Sequence, residues 1–145
     1  MEKIKILWID DDINRMALKP YIDEFYDNGI KIIPAESPDE SDKILSEQKD
    51  FQCIIIDLSM ALGENINCGE AKSGMMTGLI VLKKLIANTE LDKIKKIVFT
   101  IVPDTAEVQG YCNANNVYYL RKRDHMTDTF VEEIKKIIST ETIKK

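Results

Sequence analysis

Residues 4–12 read IKILWIDDD, an apolar run broken only by Lys5 and followed by three carboxylates in a row. A second stretch repeats the plan: CIII at residues 53–56 leads straight into Asp57. Near-continuous apolar runs this short fit strands covered on both faces, which is the situation in a parallel sheet rather than in a half-solvated antiparallel one. Three more such runs lie further along, from Ile30 to Pro34, Lys96 to Thr100 and Val117 to Leu120. Amphipathic stretches separate them, so the chain reads as successive βα units. The expected fold is α/β, a doubly wound, three-layer arrangement with a parallel five-stranded sheet, and a strand order of 2-1-3-4-5 would set the first strand beside the third.

The intervening helices are legible to different degrees. Ser37 as N-cap, Pro38 at the first helical position and Glu40 three residues after the cap give the clearest start. Asn14 to Tyr26 carries apolar residues at helical spacing and stops at Asn28-Gly29, with Pro20 marking a kink or a late start. Further helices are expected from about Leu79 to Ala87, between Asp104 and Cys112, and from near Thr127, where Phe130, Val131, Ile134, Ile137 and Ile138 share a face. The stretch from residue 61 to 78 breaks the rhythm, because four of the six glycines fall there: Gly63, Gly69, Gly74 and Gly78. It reads as an inserted loop, and we expect it to lie over or beside Asp57 and to control access to it or the lifetime of a group bound there. Residues 141–145 form a charged tail.

Composition narrows the function. The 145 residues, 44% hydrophobic and 31% charged, suit one domain with a core that needs no staple, and five βα units use the whole length. Twenty basic against 25 acidic residues give −5 with no basic stripe, so neither direct nucleic-acid binding nor a membrane surface is expected. The opening apolar run is too short for a secretory signal, and no stretch approaches the ~20 apolar residues of a membrane span. Cys53, Cys68 and Cys112 are odd in number and widely spaced, which suits a reducing, cytoplasmic setting and neither disulfides nor zinc. Cys53 and Trp8 read as core residues, and the lone His125 as a surface or loop residue.

In an open parallel sheet ligands bind at the carboxyl ends of the strands. Those ends here are Asp10, Asp11 and Asp12, then Asp57, then Thr100, then Arg121, Lys122 and Arg123. Carboxylates converging within a few ångströms repel one another unless a cation sits among them, and oxygen-only ligands favour a hard divalent ion such as Mg²⁺. Asp12 alone reads as a helix N-cap. A carboxylate beside such an ion, with a hydroxyl and an ammonium, is suited to accepting a phosphoryl group.

This set resembles the receiver domain of two-component response regulators, over nearly the whole chain. The resemblance implies a flavodoxin-like (βα)5 fold with Asp57 as phosphoacceptor. It also implies a Mg²⁺ site made by Asp10, Asp11, Asp57 and the backbone carbonyl of Ser59. Thr100 and Lys122 would contact the phosphoryl group, and Tyr119 would be the aromatic rotamer switch. The implied donor is a histidine kinase or phosphotransfer protein, the implied output is contact with a downstream effector protein, and the chain would be a stand-alone signalling phosphoacceptor rather than an enzyme. Ala61 and Arg123 stand where the family usually has proline, and Ile101 stands where it has a small residue. Those departures also admit a degenerate, phosphorylation-independent interaction module. A second alternative is a haloacid-dehalogenase-type phosphatase with Asp10 as nucleophile and Asp12 as acid/base.

Overall fold

A computed structural model describes residues 4–13, 16, 18–58, 77–100 and 106–139. Five strands, β1 (Ile4–Ile9), β2 (Ile30–Ala35), β3 (Cys53–Ile56), β4 (Lys95–Thr100) and β5 (Tyr118–Arg121), form one sheet of order β2-β1-β3-β4-β5 in which every pairing is parallel. Helices α1 (Lys19–Asp27), α2 (Pro38–Glu47), α3 (Thr77–Ala87), α4 (Ala106–Ala114) and α5 (Thr127–Ser139) alternate with them. This is the flavodoxin-like (βα)5 arrangement expected from the strand runs.

Burial follows position in the sheet. All four residues of β3 are buried, whereas the edge strand β2 exposes Lys31 and the edge strand β5 exposes Tyr118. Because successive side chains point to opposite faces, the strands feed two separate cores. Leu7, Ile9, Ile54, Ile56 and Val98 pack with Leu45, Leu82 and Cys112 from α2, α3 and α4. Ile6, Trp8, Ile55, Ile97 and Phe99 pack with Phe25 of α1 and with Phe130, Val131 and Ile134 of α5. The second core is mainly aromatic: Phe99 stacks on Phe130 at 3.8 Å between ring centroids, and Trp8 meets Tyr21, Phe25 and Phe99 edge-on.

The helix starts have identifiable causes. Ser37 caps α2 as expected, its hydroxyl accepting from the Glu40 amide at 3.1 Å. Pro20 sits in the first turn of α1, so the helix starts late, at Lys19, with Leu18 in the cap position and no side-chain cap. That late start corrects the reading of Asp12 as an N-cap. Gly29, at φ +75°, ends α1 in the left-handed conformation that glycine adopts at least cost. Ser59, Met60, most of the 61–78 loop, Cys68, Ile101 and the tail 141–145 lie outside the described residues.

Candidate functional site

The crossover from β2 over to β3 makes the carboxyl ends of β1 and β3 the topological switch point of the sheet. Register then decides what meets there. Ile9 pairs with Ile56, so Asp10 and Asp57 leave the sheet side by side, and the Asp57 amide donates to the Ile9 carbonyl at 3.0 Å. Thr100 pairs with Arg121, so Lys122 emerges beside the threonine.

Four side chains interlock. The Thr100 hydroxyl donates to Asp57 Oδ1 at 2.6 Å. Lys122 Nζ donates to Asp57 Oδ2 at 2.9 Å and to Asp10 Oδ2 at 2.8 Å. The Asp12 amide donates to Asp10 Oδ1 at 2.9 Å. Asp10, Asp57 and Thr100 are buried, and Lys122 is partly so. Burial is the largest influence on Asp10, and with the Asp57 charge it pushes the carboxyl up to about 6 against the pull of Lys122. For Lys122 burial alone would lower the ammonium, but Asp10 and Asp57 together outweigh it and hold it above the ordinary lysine value.

Asp10, Asp11 and Asp12 each place a carboxylate oxygen within 4.8 Å of the others. An all-oxygen donor set with excess negative charge suits a hard divalent cation. The buried Asp10 carboxyl is pushed toward protonation, and the Lys122 ammonium is shared between it and Asp57, which supplies the reason such an ion would be welcome. In this grouping Asp12 lies with Asp10 and Asp11, while Asp57 is engaged by Thr100 and Lys122.

The remaining predicted positions fall as follows. Tyr119, on β5, is half-buried and packs against the core shared by α2, α3 and α4. Lys122 opens a 3-10 turn, Lys122–Asp124, in which Arg123 is exposed, and no cis peptide occurs among the described residues. His125 lies in the loop that follows this turn, in keeping with its reading as a surface or loop residue, and is half-buried with its ring edge-on to Phe99 and Phe130.

Sequence reasoning passed over Gly78 as part of a loop, yet it lies in the first turn of α3, where a Cβ would come 1.9 Å from the Asp57 carbonyl oxygen. Its amide donates to the Leu58 carbonyl at 2.8 Å, so α3 is drawn directly onto the end of β3. A glycine followed by a clean helical apolar face was the available signal.

The sequence matches no protein-family profile and no curated protein. The fold, in contrast, has many solved counterparts. A response regulator from Thermotoga maritima superposes with a TM-score of 0.69 at 19% identity, covering 96% of this chain and 100% of that one. The chemotaxis response regulator CheY4 of Vibrio cholerae gives 0.69 at 17% identity, over 94% of this chain and 99% of that one. A CheY-like receiver domain protein from Methanospirillum hungatei gives 0.68 at 19% identity, over 94% of each chain. The chain therefore has the fold of response-regulator receiver domains, across nearly its whole length.

Proposed function

We propose that this protein is a receiver that accepts a phosphoryl group on Asp57 from a phosphohistidine donor, a histidine kinase or phosphotransfer protein. One observation carries the reading: Thr100, at the end of β4, and Lys122, in the turn that follows β5, both converge on the Asp57 carboxylate at the switch point of the sheet. In the reaction an Asp57 oxygen attacks phosphorus, the phosphorus–nitrogen bond of the donor breaks, and the electron pair leaves with the imidazole. The product is an acyl phosphate. Lys122, with three N–H donors, can keep a carboxylate oxygen and gain a phosphoryl oxygen. Thr100 would turn its hydroxyl from Asp57 Oδ1 to the new group, and Tyr119 would follow it inward.

Asp10 and Asp11, with Asp57 beside Asp10 at the strand ends, are the residues that would hold Mg²⁺, and Asp12 groups with the first two closely enough to contribute. When bound, the ion would neutralise charge developing on the transferred group. Added negative charge at the strand ends would then alter the surface read by an effector protein.

The phosphatase alternative leaves Asp57 without a role, although two side chains are aimed at it. The test is labelling with acetyl phosphate and Mg²⁺. Wild type should be labelled and Asp57→Asn should not. Labelling that survives Asp57→Asn and is lost in Asp10→Asn would favour the phosphatase, and a folded wild type that neither labels nor binds beryllofluoride would be the degenerate module.

A further inference from the structure

The turn that presents Lys122 is held from behind by residues outside the site. His125 follows the 3-10 turn and closes it, its amide donating to the Lys122 carbonyl at 3.4 Å. Its own carbonyl accepts the Tyr21 hydroxyl at 3.2 Å, a bond between residues 104 positions apart. Its ring stands edge-on to Phe99 at 6.4 Å and Phe130 at 6.1 Å between centroids. Phe99 immediately precedes Thr100, and Lys122 Nζ lies 6.0 Å from the Phe99 ring centroid. Tyr21 also packs edge-on against Phe99, at 5.8 Å.

We propose that Tyr21 and His125 are positioning residues for Lys122: the Tyr21–His125 hydrogen bond and the His125 ring wedged on Phe99 and Phe130 fix the turn from which the ammonium spans Asp10 and Asp57. The physical need is plain. A lysine side chain has four rotatable bonds, and holding its ammonium between two carboxylates is effective only where its backbone origin is fixed. Here the next residue is Arg123, which is exposed, and the contacts that brace the turn come from its far side. The inference rests on the receiver reading for its effect on labelling, and stands without it for its effect on geometry.

The experiment is a double-mutant cycle between Tyr21→Phe and Lys122→Met, read in two ways. Tyr21→Phe removes one hydroxyl and keeps the ring, so the Phe99 contact survives. Labelling by acetyl phosphate with Mg²⁺ is expected to slow about fivefold, the scale of one lost hydrogen bond. It should slow no further when Lys122 is already methionine. The second reading is urea unfolding of the four proteins without Mg²⁺, where the destabilisation by Tyr21→Phe should shrink once Lys122 is absent. His125→Phe, which keeps a flat ring, should retain labelling that His125→Ala loses. Equal effects of Tyr21→Phe with and without Lys122, in either reading, would overturn the proposal. Absence of label on wild type would sink the receiver reading alone, with the unfolding cycle still deciding the positioning role.

Discussion

A buried carboxylate that shares one ammonium with a second carboxylate is short of positive charge, and among the described residues Asp10 is in that position. The consequence can be signed. With a folded-state pKa of about 6 against 3.8 unfolded, the native protein holds a proton across that window while the unfolded chain has released it. Metal-free stability therefore falls as pH rises from about 4 to 6, by on the order of 2–3 kcal/mol in all. Asp10→Asn should flatten that slope in urea unfolding with chelator present; a slope as steep as wild type would place the titration elsewhere. Gly78 is the other residue with a narrow tolerance. Alanine there would drive a methyl into the Asp57 carbonyl, so Gly78→Ala should either unfold the protein or displace the end of β3. Circular dichroism separates the two, and a variant with wild-type stability and wild-type labelling would contradict the close approach. Neither consequence is visible in the bare sequence. Asp10 and Asp57 could be picked out because they end apolar runs, but which oxygen meets which donor depends on register between strands far apart in the chain.

At the scale of elements, the strands were legible and the turns less so. Apolar runs bounded by polar residues located all five strands, with β5 displaced by one residue because the exposed Tyr118 and partly exposed Arg121 sit on an edge that apolar counting does not see. The α2 start was readable since its cap uses local chemistry alone; Ser37→Ala should cost about 1 kcal/mol, measurable in urea. Asp12 was misread even though Pro20 already offered a late start: an aspartate after a strand looks like a cap, but the helix begins only at Lys19. His125 and Tyr21 were invisible as partners because their link joins α1 to the turn after β5. The stacking of α5 on β4 carries much of the second core. Phe130→Ala, which removes the ring stacked on Phe99, should destabilise by about 3–5 kcal/mol and also loosen His125. Loss of less than 1 kcal/mol would mean that the aromatic layer relaxes freely around the gap.

Across the whole molecule, a net charge of −5 is ordinary, but its placement is not, since three consecutive aspartates crowd one end of the sheet. Ions can relieve that crowding either by general screening or by binding, and the two respond differently to the identity of the salt. A bound divalent cation stabilises the folded state by RT ln(1 + [L]/Kd), about 2.7 kcal/mol at a hundredfold excess over Kd. For a chain of this length that corresponds to roughly 8 °C in Tm. We therefore expect Mg²⁺ to raise Tm by several degrees beyond NaCl of matched ionic strength, with most of the gain lost in Asp10→Asn and in Asp11→Asn. Trp8, the only tryptophan, lies two residues before Asp10 and packs beneath the site, so its fluorescence should titrate with the same midpoint. Equal Tm gains from Mg²⁺ and NaCl, or a full Mg²⁺ gain retained in both aspartate variants, would show that the acidic end is merely screened and would remove the metal from the proposed phosphoryl chemistry.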